Sequence, residues 1–323
     1  MDKPEKNLDV VALGELLIDF TGSGVSAQGN PLLEANPGGA PCNVLAMLTK
    51  LGRKTAFIGK VGDDTFGRML RDTVAAVGIG TDNLLMDKDT HTTLAFVHTA
   101  PDGDRDFSFY RDPGADMMLR PDEVQEALIA RARVFHFGSL SMTHPGVREA
   151  THRAIALAAH YGCLRSFDPN LREPLWNSLD EAREQISWGL DNCDMLKISD
   201  NELLWFTGKP DFESGIQALQ ETYDIPLILL SKGRDGSSAY TRDYQADAAP
   251  FLMENTIETT GAGDTFCACV IHYILDHGVT GLRKDQLSEM LRFANAAAAL
   301  ITTRKGALRV MPTSAEVEAL LNS

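Results

Sequence analysis

Short apolar runs of strand length recur along the chain, at Val10 to Leu13, Thr55 to Val61, Val134 to Phe137, Leu164 to Phe167, Met195 to Ile198 and Pro226 to Leu230. Between most of them the period lengthens to that of an amphipathic helix. Phe66, Leu70, Thr73, Val74 and Val77 recur at helical spacing after a Gly62-Asp63-Asp64 start, and His144 to Tyr161 and Leu179 to Leu190 read the same way. Strands alternating with helices predict an α/β fold with a mostly parallel sheet covered on both faces.

One interval breaks the rhythm. His91 to Thr99 and Arg105 to Tyr110 alternate in the manner of strands and are joined by Ala100-Pro101-Asp102-Gly103-Asp104, which predicts a hairpin. A second, irregular stretch follows Asp19. These excursions, about residues 20–36 and 91–111, are expected to form a small sheet that projects from the main layer as a lid over a site. No linker or repeat is visible, so residues 1–323 read as one domain.

Composition narrows the function classes. With 44% hydrophobic and 23% charged residues the chain can bury a large core. Its 30 basic against 45 acidic residues leave a net charge of −15, which repels phosphate backbones and anionic lipid and argues against nucleic-acid or membrane-surface roles. Cys42, Cys163, Cys193, Cys267 and Cys269 are odd in number and lack C-x-x-C spacing, so neither a disulfide framework nor a zinc ribbon is indicated. The start from Met1 to Asn7 is polar and no apolar stretch is long enough to span a bilayer, so a cytoplasmic protein is expected. The eight histidines show no metal-binding spacing, and Cys267 and Cys269 fall on different faces of a helix and are given no chemistry.

The segment from Glu258 to Phe266, Glu-Thr-Thr-Gly-Ala-Gly-Asp-Thr-Phe, is the sharpest chemical signal. Small residues at a helix start leave backbone N–H groups unpaired and uncovered, an anion cradle aided by the helix dipole. Asp264 sits at its mouth, where a carboxylate can take a proton from an attacking hydroxyl while the Gly261, Ala262 and Gly263 amides stabilise a phosphoryl group. By itself the tetrapeptide would read as a tight turn and N-cap. It is accompanied by a second glycine turn that opens a helix, Pro37-Gly38-Gly39-Ala40-Pro41-Cys42-Asn43. There is no G-x-x-x-x-G-K-[ST], so phosphate is not held by a P-loop.

With these two turns the chain resembles the PfkB (ribokinase-like) carbohydrate kinases over nearly its whole length. Within that family it is similar to fructokinases through Ala12 to Phe20, Phe107 to Arg111, Phe167 to Arg172 and Lys197 to Glu202. The resemblance implies a three-layer α/β/α sandwich with a small β lid, and transfer of the γ-phosphate of Mg-ATP to the terminal 6-hydroxyl of fructose. Asp264 would be the base. Asp19, Gly38, Gly39 and Asn43 would contact sugar hydroxyls, with Phe96, Phe109, Arg111 and Arg172 also beside the substrate; for each arginine the alternative is a structural salt bridge. Lys197, Ser231, Gly233, Arg234, Gly236, Gly263 and Asn295 would line the ATP site. Glu202 would help organise hydrated Mg²⁺, and Ser199 stands where the family's N-x-x-E motif has Asn, a substitution shared by fructokinases. Glu258, Thr260 and Gly306 match a potassium site in which relatives carry Asp in place of Glu258. Related kinases pair their lids, so a homodimer is expected.

Two rivals are weighed. A 2-keto-3-deoxygluconate kinase would grip a carboxylate with lid tyrosines and arginines, whereas Phe96 and Phe109 supply no hydroxyl. A non-catalytic sugar-binding protein would be expected to have lost Asp264 or a glycine turn, and all are present.

Overall fold

The computed structural model describes residues 5–99 and 105–322. In chain order the strands and helices are β1 (Leu8–Leu13), β2 (Leu17–Val25), β3 (Pro31–Gly38), α1 (Ala40–Lys50), β4 (Thr55–Gly62), α2 (Thr65–Ala76), β5 (Gly80–Asp87), β6 (Leu94–Thr99) and β7 (Arg105–Tyr110). They continue with α3 (Glu126–Ala130), β8 (Ala132–Gly138), α4 (Pro145–His160), β9 (Leu164–Asp168), α5 (Leu179–Asp191), β10 (Met195–Ser199), α6 (Asp200–Thr207), α7 (Phe212–Thr222) and β11 (Leu227–Ser231). The last are β12 (Ser237–Tyr240), β13 (Gln245–Ala248), α8 (Ala262–His277), α9 (Lys284–Ile301) and α10 (Ser314–Leu321).

The apolar runs become strands buried on both sides. Val10 and Ala12 of β1 face one core and Val11 and Leu13 the other; Leu227 and Leu229 of β11 separate in the same way from Ile228 and Leu230. That alternation builds three layers, with α1, α2, α8, α9 and α10 on the first face and α3 to α7 on the second. Phe135, Phe137 and Phe167 are fully buried in the second core, where Phe137 and Phe167 stack at 4.7 Å, each ring contributing roughly 2–3 kcal/mol by its burial. The main sheet has the order β13-β12-β11-β10-β9-β8-β1-β4-β5, parallel from β11 to β5 and antiparallel only at β12 and β13. The start predicted for α2 is as expected: Asp64 is its N-cap and accepts from the Gly67 N–H at 2.8 Å.

The two excursions form one four-stranded sheet of order β3-β2-β6-β7. The stretch expected to be irregular after Asp19 is an antiparallel hairpin, β2 on β3, whose register shifts only between Gly22 and Val25, and β2 pairs in parallel with β6. The predicted turn at residues 100–104 lies outside the described residues. One buried carboxylate anchors both ends of the β6–β7 hairpin. Asp116 accepts from Thr93 Oγ1 at 2.5 Å, just before β6, and pairs with Arg111 at 2.6 Å, just after β7. Arg111 also donates to Thr143 Oγ1 at 2.8 Å and to the Leu140 carbonyl at 3.1 Å. This corrects the expectation that Arg111 meets the substrate. Its side chain is fully paired beneath the lid, and the salt-bridge alternative is the one realised.

Phe96 is a second correction. Strand alternation turns it to the face of the lid opposite Val97, where it stacks on Phe20 at 5.0 Å and meets Tyr110 at 5.1 Å, while Phe20 packs edge-on against Phe66 of α2.

Candidate active site

Two cavities meet at the N-terminus of α8. The first, about 410 Å³, lies between the lid and the C-terminal ends of the parallel strands; Asp19, Gly38, Gly39, Asn43, Phe109, Arg172 and Asp264 are in its wall. The second, about 360 Å³, is walled by Ser231, Gly233, Arg234, Gly236, Phe251, Leu252 and Asn295. Thr259 and Gly263 belong to both. A group held at Gly263 therefore faces both spaces.

Local chemistry explains why this end of α8 is open. Its N-cap is Gly261, which has no side chain to cap with and lies in the left-handed region at φ 77°; a Cβ there would also come within 2.8 Å of Ala307 Cβ. The Ala262 N–H turns back to the Thr259 carbonyl at 3.2 Å. The next two N–H groups, of Gly263 and Asp264, belong to the first turn and so have no carbonyl of a preceding turn to donate to, before Thr265 N–H closes onto the Gly261 carbonyl at 2.8 Å. Of the Gly261, Ala262 and Gly263 set expected from the sequence, Ala262 is thus the one whose N–H already has a backbone partner.

Asp264 is gripped from the other side of the cavity. The Asn43 Nδ2 donates to Asp264 Oδ2 at 2.8 Å, and Asn43 Oδ1 is buried with no partner among the described residues. Burial raises the Asp264 carboxyl above its ordinary value, opposed by the Asn43 hydrogen bond and by the charges of Lys197 and Arg172. Glu15, not singled out by sequence, lines the same cavity and accepts from the Ala40 N–H at 2.8 Å. Burial pushes it up to about 7.

Lys197 belongs on this side too, which corrects its assignment to the nucleotide pocket. It lines the first cavity and not the second, and its Nζ lies 3.3 Å from where a Cβ on Gly263 would be. It pairs with buried Asp168 at 3.0 Å. Burial alone would lower the lysine, but Asp168 and Glu202 raise it and keep it charged. Burial also pushes Asp168 up, to about 7, against the pull of Lys197 and with Glu202 and Asp264 adding to the rise. Asp168 carries the site's charge balance, and the sequence signal for it was a carboxylate closing an apolar strand. Glu202 is held elsewhere. It accepts from the Ser199 N–H at 2.9 Å, from Ser199 Oγ at 2.7 Å and from the Leu171 N–H at 2.7 Å, capping α6 and pinning the segment that carries Arg172.

Ser231, Gly233, Arg234 and Gly236 line the second cavity together, and Leu252, 72% exposed, offers it an apolar wall. Asn295 borders it, but its amide is engaged: Oδ1 accepts from Ser237 Oγ at 2.8 Å and Nδ2 donates to the carbonyls of Ala248 and Ala249 at 3.2 and 3.0 Å. It holds the wall in place. On the first cavity's far side, Glu258 accepts from the Gly306 N–H at 2.6 Å, with Thr260 alongside. Among the described residues no group of three or more His, Cys, Asp or Glu is placed to hold a metal directly, and no helix is long and apolar enough to cross a membrane.

The profile of the pfkB family carbohydrate kinases matches residues 7–314. The chain is 42% identical to a probable fructokinase-4 of Arabidopsis thaliana over 98% of its own length and 97% of the relative's. Among solved structures it is similar to a fructokinase from Xylella fastidiosa with bound ATP, at a TM-score of 0.89 and 31% identity over 97% of this chain and 98% of that one. It is also similar to a fructokinase double mutant from Vibrio cholerae with fructose, ADP and potassium ion bound, at a TM-score of 0.86 and 28% identity over 98% and 99%.

Glu15 yields a stability prediction. With a native value of about 7 against an ordinary 4.5, the native state binds this proton more tightly than the unfolded chain. Stability therefore falls as pH rises from about 4.5 to 7, and the full deficit, about 3 kcal/mol, is present above 7. The charged and titratable groups around it are Asp116, Arg111 and Cys42. Glu15→Gln removes the buried charge, so its urea midpoint relative to the parent should rise at pH 8 and change little at pH 5. An equal difference at both pH values would contradict the assignment.

Proposed function

The chain belongs to the pfkB family of carbohydrate kinases, and on that premise we propose that it is a fructokinase, moving the γ-phosphoryl group of ATP to the 6-hydroxyl of fructose. The observation that carries this reading is the meeting of the two cavities at Gly263, with a carboxylate in one and an apolar wall in the other. ATP suits the second cavity, its base against Leu252 and Phe251 and its phosphates toward the open end of α8. The sugar suits the first. Four carboxylates line it, Glu15, Asp19, Glu258 and Asp264, against two cations, Arg172 and Lys197, a balance that favours an uncharged polyol over the carboxylate of 2-keto-3-deoxygluconate.

Asp264 acts as general base on the sugar hydroxyl. Asp19, the Gly38–Gly39 turn and the unpartnered Asn43 Oδ1 satisfy the other hydroxyls, with Phe109 closing the lid side. The N–H groups of Gly263 and Asp264, Lys197 and Arg172 meet the charge that develops on the transferring group. Magnesium bound with ATP would supply positive charge against that of the phosphates. Asp168, Glu202 and Asp264, the carboxylates whose charges act around Lys197, are the residues that would hold the ion's water shell. All five cysteines are buried and free, which suits the cytoplasm. Residues 1–323 act as one kinase domain with its lid.

A coupled ADP-release assay over fructose, ribose, tagatose, adenosine and 2-keto-3-deoxygluconate tests the acceptor. Fructose is expected to lead in kcat/KM by about tenfold or more, and a higher value for any other acceptor would overturn the assignment. In the same assay Asp264→Asn should lower kcat by on the order of 10²-fold with sugar KM nearly unchanged, and near-normal kcat would remove Asp264 from the mechanism. Because burial holds Asp264 above its ordinary value, kcat/KM of the parent falls as pH drops through that raised value.

Potassium is the second ion proposed. Glu258 and Thr260 stand beside the cradle, and a cation bound with them and the Gly306 loop would hold the Gly261 turn in shape. Replacing KCl with tetramethylammonium chloride at fixed ionic strength should reduce activity, and an unchanged rate would eliminate the site. A homodimer through the lids is favoured by the exposed Val25, Leu32, Leu33 and Tyr110 on that sheet. Light scattering should give twice the 35.2 kDa chain mass, and a single-chain mass would exclude the pairing.

A further inference from the structure

The mechanism leaves one buried carboxylate of the sugar cavity without a role. Glu15 follows β1, is 4% exposed, and sends its side chain to the N-terminus of a helix that begins 25 residues later. Helix α1 opens on Gly39, which has no side chain to serve as a cap. Glu15 Oε1 accepts the Ala40 N–H at 2.8 Å and supplies the missing cap from outside the helix.

The backbone around Glu15 is interlocked with the same turn. Gly39 sits at φ 126°, and a Cβ there would come within 2.4 Å of the Glu15 carbonyl oxygen; a Cβ on Gly14 would come within 2.5 Å of Pro41 Cγ. The neighbouring Gly38 is pressed against the other sugar-side carboxylate, since its Cβ would lie 2.2 Å from Asp19 Oδ2. One helical turn beyond Ala40, Asn43 donates to the base Asp264. Cap, turn, carboxamide and base thus form a continuous chain of contacts. On its other side Glu15 feels Asp116 and Arg111, the pair that anchors the lid hairpin.

We infer that Glu15 is a positioning residue for the acceptor sugar: as a tertiary cap of α1 it sets the Gly38–Gly39 turn and, through that helix's first turn, the Asn43 carboxamide that holds Asp264. It lines the first cavity and not the second. Its loss is therefore felt on the sugar side, where a small displacement of the turn misaligns both the hydroxyl contacts and the base.

The test rests on fructose as the acceptor and is built to separate the two. Glu15→Ala should lower kcat/KM for fructose by roughly 10- to 100-fold while leaving KM for ATP within about twofold. Glu15→Gln keeps an acceptor oxygen of the same reach and should recover most of that loss, whereas Glu15→Asp, one methylene short, should not. Amide hydrogen exchange on the ligand-free protein gives a readout independent of the sugar: protection of Ala40 to Asn43 should fall in the Ala and Asp variants and be retained in Gln. If the parent phosphorylates another sugar instead, the acceptor reading fails while the exchange result still decides the cap. Parallel rises in both KM values, a Gln variant as impaired as Ala, or unchanged Ala40 protection in the Asp variant would each overturn the inference. Should Glu15→Ala not fold, the Gln and Asp pair carries the comparison.

Discussion

A single hydrogen bond joins two helix starts from opposite ends of the chain, and the site is organised around it. Asn43 in the first turn of α1 and Asp264 in the first turn of α8 meet at 2.8 Å across 221 residues of sequence. Both helices lie on the same face of the sheet, where small buried residues such as Cys42, Cys267 and Ala268 let them pack closely. Two helix N-termini aimed at one space make a field that favours anions. The proposed base and phosphate cradle both lie in that field, so on that reading a carboxylate and a transferring phosphoryl group would share one source of stabilisation.

The same arrangement is costly to fold. Asp168, Glu202 and Asp264 surround one lysine, and Asp168 and Glu15 are both pushed to about 7 by burial. A core selected for stability alone would not gather them. Strain of this kind is balanced by satisfied ties nearby: three donors on Glu202, the Asp168–Lys197 pair, and the hairpin anchor at Asp116.

What the sequence made legible was whatever is decided locally. The runs ending at Leu13, Phe137 and Ile198 read as strands because they are apolar on both faces, and the open start of α8 was legible because Gly261 has no side chain to cap it. Strands β5, β12 and β13 were missed: Gly80–Asp87, Ser237–Tyr240 and Gln245–Ala248 are rich in small and polar residues and are strands through their neighbours. The hairpin after Asp19 was hidden by Gly22, Gly24 and Gly29. Within the site, what the sequence left open was which neighbour claims each side chain. Arg111 is claimed by Asp116 and Thr143, Asn295 by the end of β13, and Phe96 is turned away by one step of strand alternation. Glu15 carried no sequence signal because the group it caps belongs to another element.

The lid is one sheet made of two pieces that leave the ribosome at different times. β2 and β3 are synthesised first and must wait for β6 and β7 before the parallel β2–β6 seam can close. Until then the early hairpin has a free edge, the kind of template on which nascent chains adhere to one another. Its composition suits the wait. Asp19, Thr21 and Asn36 make one face polar, and glycines interrupt its far end, so that face offers little to strangers. The weak strand character that made this segment hard to read serves as protection during synthesis, and the polar residues that provide it later line the first cavity.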